Sequence, residues 1–379
     1  MTDSLLTDPT IREGWSGRSP VDSEEGWLHR AAEVAGLLAA GAADRDVTLP
    51  PHAEVALLKD SGLVTLLGPV EHGGGGASWP TAVHVVRLIS EADGRIGEIL
   101  AYHYVLVWFA RFIGTDEKIE HIDEVAAKAR WLFGGAADLR SFPLTVEDAG
   151  EEMIFTGRIW PAIGAGVSDI TMLEGLRPGA EVGISALAMS SHTGLSTWTD
   201  PRTPDAPGVI VDAADIPWSG ALGHVAKRFQ PRLYNGYLIP TLHLALANVR
   251  IGLLRAALNA VVAADAADGR PEHLNEAIGR LWAAEAFADD VAARSSDAHR
   301  NSRAVTQADL DDYRARVGAL RVIVKSVLQE ALDGFDTPAL DRFKETALAF
   351  AARWPDYPAD YGPGPYVLGR GGLPAEARS

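Results

Sequence analysis

The feature that most constrains the fold of this chain is a change in the spacing of its apolar residues. From about Glu25 to Leu132 they recur at helical spacing, between 131 and 230 they form short runs separated by Gly, Pro and Asp, and helical spacing returns after Pro231. The predicted helices cover 27–43, 51–61, 79–92, 96–113, 116–129, 237–264, 272–299, 306–332 and 338–353. The predicted strands include 152–158, 170–173, 182–188 and 208–211.

This order of elements indicates an α+β protein that is mainly α, rather than the strand–helix alternation of a doubly wound sheet. We expect three domains: an N-terminal helical domain over 1–130, a small central β-domain over 131–232, and a C-terminal helical bundle with an extended tail over 233–379. A cleft between such parts is where ligands usually bind.

Composition excludes several classes of partner and chemistry. The formal net charge of -17 and the absence of a Lys/Arg run make nucleic acid an unexpected partner. The chain has no cysteine, which excludes disulfides, zinc–thiolate sites and a thiol nucleophile. No histidine pair has metal-ligand spacing, so we expect no metal site. Residues 1–8 have neither the basic nor the apolar region of a signal peptide, and charged residues interrupt the apolar segment 237–264. We therefore expect a cytoplasmic protein that does not enter a membrane.

Two local motifs allow both a structural and a functional interpretation. The run Gly73–Gly76 lacks the Lys-Ser/Thr and the preceding strand of a phosphate-binding loop, so a loop between helices is favoured. On the helix predicted at 96–113, Tyr102, His103 and Tyr104 place two phenols and an imidazole in an apolar stripe. Buried polar groups need partners, which a bound ligand or the protein core could supply.

Longer motifs then indicate a family. The order and spacing of LKDSGL at 58–63, PVEHGGGGASWPTA at 69–82 and EADGRIG at 91–97, with Tyr102-His103 following, resemble the dibenzothiophene monooxygenase-like flavoenzymes. These have the acyl-CoA dehydrogenase fold. Further similarity to that family occurs at Thr156–Arg158, at LANVRIG (246–252), and at LDRF (340–343) with YVLGR (366–370).

The resemblance implies an N-terminal helical domain, a central β-domain and a C-terminal antiparallel four-helix bundle, assembled as a homodimer or homotetramer. Members of the family take reduced FMN or FAD from a separate reductase and use O₂ to oxygenate sulfur, nitrogen or carbon in an apolar substrate. It also places His103 on the oxygen-activating side of the flavin.

The chain departs from the family pattern where flavin would bind. Gly135 stands in place of an Asn, Ile163 in place of a small hydroxyl residue, and Arg353 in place of a histidine. The segment that follows Trp218 and the loop at 333–337 are both shortened. From these losses we expect that the chain binds no flavin or other cofactor.

The preferred functional hypothesis is therefore a flavin-independent enzyme of natural-product biosynthesis. It would catalyse a non-redox cyclisation or rearrangement, of cycloaddition type, on a bulky apolar polyketide-like substrate. The catalytic residues would be Tyr102, His103 and Tyr104, which would orient or polarise a carbonyl. The residues expected to contact the substrate are Trp108, Phe133, Trp160, Ile163, Arg353 and Trp354.

Two alternatives stay open. The chain could be a two-component monooxygenase that keeps FMN or FAD through altered contacts. The cations considered for its phosphate are Arg158, Lys227, Arg228 and Arg232. It could also be a non-catalytic binding protein of a biosynthetic pathway.

Overall fold

The computed structural model describes residues 21–42, 45–46, 48–139, 141–180, 182–200, 206–230, 236–264, 272–300 and 304–334. Within these residues eight helices and eleven strands follow one another in the predicted order. The helices are α1 (Glu24–Gly41), α2 (His52–Asp60), α3 (Trp79–Ala92), α4 (Gly94–Ile113), α5 (Asp116–Ala129), α6 (Leu238–Ala264), α7 (Glu272–Arg300) and α8 (Gln307–Gly334). The predicted helices that fall on described residues are thus confirmed to within a few residues, whereas 338–353 lies outside the described residues.

The strands of the central segment form one large sheet and a small hairpin. They are β1 (Phe133–Ala136), β2 (Leu144–Ala149), β3 (Glu152–Ile159), β4 (Ala162–Ile163), β5 (Ile170–Leu176), β6 (Ile184–Met189), β7 (Leu195–Trp198), β8 (Gly208–Pro217), β9 (Ala221–Leu222), β10 (His224–Val225) and β11 (Arg228–Phe229). The sheet order is β4-β1-β5-β2-β3-β8-β7, with β6 on β5 and β9 on β6, while β10 pairs with β11. The stretch after Trp218 therefore contains three short strands rather than leading almost directly into the next helix.

Local sequence explains the corner between α3 and α4. Asp93 ends α3 and begins α4, and its carboxylate accepts a hydrogen bond from Ile96 N at 3.0 Å, as an N-cap residue does. A Cβ atom on Gly97 would lie 1.9 Å from Ser90 Oγ. Only glycine therefore lets the two helices approach so closely.

The helices from both ends of the chain share one hydrophobic core, whereas the strands enclose a second one. Arg87 of α3 links the two groups of helices, because its guanidinium donates to Asn248 Oδ1 of α6 and to Asp289 Oδ1 of α7, each at 2.7 Å. This arrangement positions α4 between the other helices and the sheet. The boundaries of the three domains stay predictions.

Two helices, Gly94–Ile113 and Leu238–Ala263, are long and apolar enough to cross a membrane by length and composition alone. In the structure, 89% and 78% of their respective apolar windows are buried inside the protein. Both are therefore buried core helices. The cytoplasmic location stays a prediction.

The glycine run before α3 is a packed loop. The backbone N–H groups of Gly73, Gly74, Gly75 and Gly76 donate to carbonyl oxygens within the segment 65–70 at 2.8 to 2.9 Å. Because these N–H groups are already used, they cannot cradle a phosphate. The structural interpretation of this run is confirmed.

We expect Gly74→Ala to lower the free energy of unfolding by about 2–3 kcal/mol, the upper range for overpacking. A Cβ atom at this position would lie 2.3 Å from the carbonyl carbon and oxygen of Gly68, and this backbone cannot rotate away. Denaturant unfolding measures the change. The control is Gly279→Ala in α7, where an added Cβ meets nothing within 4 Å and helix propensity predicts a gain of up to about 1 kcal/mol. Equal stability of the two variants would contradict this account of the loop.

Candidate active site

Tyr102, His103 and Tyr104 are almost completely buried on α4, and each directs its polar atoms at the protein backbone. The Tyr102 hydroxyl donates to Ala137 O at 2.7 Å, and the Tyr104 hydroxyl donates to Leu63 O at 2.8 Å. Burial raises the pKa of Tyr104 well above its ordinary value, so this phenol stays protonated.

Both ring nitrogens of His103 are also occupied. Nδ1 accepts a hydrogen bond from Phe133 N at 3.1 Å, and Nε2 lies 2.7 Å from Val64 O. Because a backbone N–H can only donate and a carbonyl can only accept, the proton must be on Nε2. Burial lowers the pKa of His103 to about 4, so the ring is neutral at physiological pH.

These contacts connect α4 to the turn at 63–64 and to the first strand of the sheet. They favour a structural role for the three side chains, because none of their described hydrogen bonds is directed at a cavity. A direct catalytic role for Tyr102, His103 and Tyr104 stays a prediction.

The strands β1 and β4 lie beside α4 and contain two of the predicted substrate contacts. Phe133 is buried with its ring 6.0 Å from that of His103, and Ile163 is buried in β4 opposite Gly135 of β1. A Cβ atom on Gly135 would lie 3.0 Å from Met172 Cβ. A larger residue at Gly135 would therefore require Met172 to move.

A cavity of about 30 Å³ lies at this seam, between the N-terminal half of α4 and the turn that contains β4. Its wall includes Arg95, Glu98 and Ile99 from the helix and residues 161–165 from the turn. The exposed Trp160 comes directly before this turn and donates from Nε1 to Ala206 O at 3.0 Å. The volume admits about two water molecules. The seam itself therefore does not hold a flavin ring or a bulky substrate unless its wall moves.

Sequence reasoning missed Glu98. This carboxylate is only 4% exposed, although it belongs to a helix that is otherwise apolar on most sides. A charged residue between Gly97 and Ile99 was the signal that could have identified it.

Trp108 lies in a different environment from Phe133 and Ile163. Its ring contacts Trp79 edge-on with centroids 6.0 Å apart, and the Arg111 guanidinium lies 3.9 Å from the ring centroid. The structure therefore separates Trp108 from the seam at β4. Arg353 and Trp354 lie outside the described residues, and their predicted contacts stay predictions.

The cations considered for a flavin phosphate do not gather at one place. Lys227 Nζ lies 2.7 Å from Asp148 Oδ1 beside the turn between β2 and β3, whereas Arg158 is at the other end of β3. Six residues of strand, or about 20 Å, separate Arg158 from the β3 residue nearest that turn. Arg228 is exposed on the hairpin strand β11, and Arg232 lies outside the described residues. Among the described residues these cations therefore do not form a phosphate site.

A metal site also finds no support in the described part of the chain, where no group of three or more His, Asp or Glu side chains could hold an ion. The expected absence of a metal stays an expectation.

Comparison with solved structures identifies the fold as that of the acyl-CoA dehydrogenases. The dibenzothiophene monooxygenase of Paenibacillus sp. A11-2 superposes with a TM-score of 0.74 at 20% identity, over 88% of this chain and 94% of that chain. Butyryl-CoA dehydrogenase from Megasphaera elsdenii superposes with a TM-score of 0.69 at 13% identity, over 89% and 95% of the two chains. The predicted fold class is confirmed.

Sequence comparison confirms the resemblance to flavin monooxygenases of the dibenzothiophene type. The chain is 30% identical over 230 residues to dibenzothiophene monooxygenase of Rhodococcus qingshengii, which is 55% of this chain and 54% of that protein. It is 30% identical over 173 residues to a probable FMNH₂-dependent monooxygenase of Pseudomonas putida, covering 45% of this chain and 44% of that protein. The chain spans about half the length of the curated relatives that it matches. No family model matches it.

Two expectations are corrected by these comparisons. The hypothesis of a flavin-independent cyclisation enzyme is wrong, because the relatives are monooxygenases and one of them is named a probable FMNH₂-dependent monooxygenase. The expectation that no cofactor is involved is wrong for the same reason, and the Paenibacillus enzyme has been solved with FMN bound. The departures at Gly135 and Ile163 therefore do not by themselves indicate that flavin binding is lost.

Proposed function

We propose that this chain is a monooxygenase that uses reduced flavin, supplied by a separate reductase, to oxygenate a small apolar molecule. The observation that carries the proposal is the 30% identity to dibenzothiophene monooxygenase over 230 residues. Reduced flavin, when bound, supplies the two electrons with which one atom of O₂ enters the substrate and the other leaves as water.

The described residues support part of this function. The seam between α4 and β4 is apolar around Ile99, Ala162 and Ile163, although Arg95 and Glu98 also line it, and it would have to open to admit a flat ring. The described cations considered for the phosphate do not gather at one place, so no phosphate contact is assigned to them.

The role of His103 in such an enzyme is to hold β1 against α4. Its Nε2 proton is already donated to Val64 O, and its pKa of about 4 leaves no second proton on the ring at neutral pH. We therefore propose His103 as a positioning residue rather than as the acid that protonates the reacting oxygen.

The test is a titration of the full chain with FMN and FAD, oxidised and reduced, under anaerobic conditions. We expect saturable binding of a reduced flavin, and product formation from dibenzothiophene or indole when a flavin reductase and NADH are added. Both compounds are suggested by the relatives, since the Paenibacillus enzyme has been solved with FMN and indole.

A matched pair of variants locates the flavin site. Ile163→Trp fills the seam beside α4 and should abolish flavin binding, whereas Leu37→Trp lies on the outside of α1, where the wild-type side chain is 46% exposed, and should leave binding unchanged. A folded chain that binds neither flavin in either redox state would overturn the proposed function.

We also propose that the chain assembles as a homodimer or homotetramer. Three large apolar side chains on the outside of α7 and α8 support this, because they are unusually exposed: Trp282 at 66%, Val322 at 65% and Ile323 at 40%. Light scattering should give a mass of two or four chains, and Trp282→Lys combined with Val322→Lys should shift it toward one chain. The control is Val225→Lys on the hairpin, which should leave the mass unchanged; a monomeric wild-type protein would contradict the proposal.

A further inference from the structure

A buried acidic residue belongs to the wall of the seam between α4 and β4. Glu98 is the only acidic residue of α4, and it is 4% exposed. A Glu side chain is almost never buried to this extent without hydrogen-bond donors around it, because its charge has lost the surrounding water. Its place in the cavity wall, beside Ile99 and Ile163, therefore puts a strong hydrogen-bond acceptor next to apolar side chains.

The other charged residue of this wall, Arg95, serves the loop before α2. Its Nη1 donates to Leu49 O at 2.9 Å. The hydrogen bonds from Thr48 and, as a smaller cause, the charge of Arg95 lower the pKa of Asp46. The guanidinium is thus engaged at residues 46–49, on the outer side of the wall.

The backbone of the turn opposite α4 uses its N–H groups internally. Ala162 N donates to Pro207 O at 2.8 Å, and Ala165 N donates to Ala162 O at 3.3 Å. These two donors are therefore not available to a guest molecule. A carboxylate can accept about four hydrogen bonds, so Glu98 can bind a guest in addition to its partners within the protein.

An acceptor in this position discriminates between molecules of the same shape. A guest with an N–H group can donate to the carboxylate, and hydrogen bonds to a charged group are stronger than those between neutral groups. A guest with a sulfur atom in the same place has no proton to donate and leaves the carboxylate without that partner. Sites built around a polar contact reject such analogues far more strongly than purely apolar sites do.

The seam has to open before a ring can enter, because its cavity of about 30 Å³ admits about two water molecules. The helix side is held in place, since nearly all residues of α4 are buried among the other helices and the sheet. The opposite side is the turn at 161–165, which follows the half-exposed Trp160. We therefore expect the turn to move, and Glu98 to remain in the wall when the seam is open.

We propose that Glu98 determines the substrate class of the seam by accepting a hydrogen bond from an aromatic molecule that carries an N–H group. This class differs from the thioether after which dibenzothiophene monooxygenase is named. The inference rests on the proposed monooxygenase function, because it names the molecules that the same seam takes.

Equilibrium dialysis of the full chain against indole and benzothiophene, with and without oxidised FMN, tests the inference in the absence of turnover. The two bicyclic rings have similar shapes and differ in having N–H or sulfur at one position. We expect indole to bind about ten-fold or more tightly than benzothiophene in the condition that gives the tighter indole binding. A smaller ratio, or no binding of indole in either condition, would overturn the inference.

Variants assign the preference to Glu98. Glu98→Leu should bring the ratio of the two affinities close to one, whereas Glu98→Gln should keep part of it, because the amide oxygen accepts a hydrogen bond without the charge. The matched control is Glu120→Leu on the exposed side of α5, which should keep the wild-type ratio. Circular dichroism checks that each variant is folded. If Glu98→Leu does not fold, Glu98→Gln decides, and a wild-type ratio in either folded Glu98 variant would contradict the inference.

The dialysis and a turnover assay separate this inference from the proposed function. If the preference for indole depends on Glu98 but the chain oxygenates neither compound with a flavin reductase and NADH, the monooxygenase function alone fails. If the chain oxygenates indole and benzothiophene with equal kcat/KM, the assignment of substrate class to Glu98 alone fails.

Discussion

A His103→Ala variant is expected to unfold about 4 kcal/mol more easily than the wild type at pH 7.5. The substitution leaves Val64 O and Phe133 N unpaired in a buried environment, at a cost of about 1–3 kcal/mol for each group, and it adds a cavity. Denaturant unfolding monitored by circular dichroism measures the difference. His103→Gln should recover part of the loss, because its amide N–H can replace the donor to Val64 O.

The matched control is His121→Ala on the exposed side of α5, which should change the free energy of unfolding by less than about 0.5 kcal/mol. A second readout distinguishes positioning from catalysis. If His103→Ala unfolds with wild-type stability yet loses turnover on a substrate that the wild type oxygenates, the positioning role is contradicted and the catalytic prediction is supported.

The second large effect is a loss of stability in acid. Burial lowers the pKa of His103 to about 4 and that of His299 to about 3, against about 6.5 in the unfolded chain. Between these pH values the unfolded chain binds more protons than the folded one. The contribution of the two histidines to the free energy of unfolding is therefore fully present above pH 6.5 and is lost as the pH is lowered. At about 1.4 kcal/mol per pH unit, a fall in pH from 6.5 to about 3 lowers the free energy of unfolding by roughly 3 kcal/mol through His103 and by roughly 5 kcal/mol through His299.

Denaturant unfolding at pH 7.5, 6, 5 and 4.5 measures this effect. His103→Gln and His299→Phe should each flatten the decline, because each removes one of the two groups whose folded and unfolded pKa values differ. His121→Ala serves again as the control and should keep the wild-type slope. A free energy of unfolding that is constant from pH 7.5 to pH 4.5 would contradict the burial of neutral imidazoles.

Much of the fold could be predicted because apolar spacing and turn residues report directly on local structure. The bounds of α3 and α5 were predicted to the residue, and Asp93 and Thr115 mark the starts of α4 and α5 as N-caps. Sheet order was beyond sequence reasoning, since the parallel pairing of β1 with β5 joins residues 37 positions apart, Phe133 and Ile170, and depends on tertiary packing.

The candidate site was harder to predict than the fold. The sequence Tyr-His-Tyr does not show whether the ring nitrogens of the histidine bind a ligand or the backbone. Only the positions of Val64 and Phe133 in the fold distinguish the two cases. An aromatic cluster around His299 was missed altogether, because its members come from four helices and the turn before α6, which are distant in sequence. The flavin prediction was wrong because motif losses were taken as loss of the cofactor.

The shared helical core has a consequence for how the chain is made on the ribosome. Apolar side chains of α1 to α4 pack in the same core as those of α6 to α8, and Arg87 has buried partners on α6 and α7. The helices α1 to α4 therefore expose apolar surface until the C-terminal helices have been synthesised, so truncation before α8 should yield an aggregating product rather than a smaller folded one.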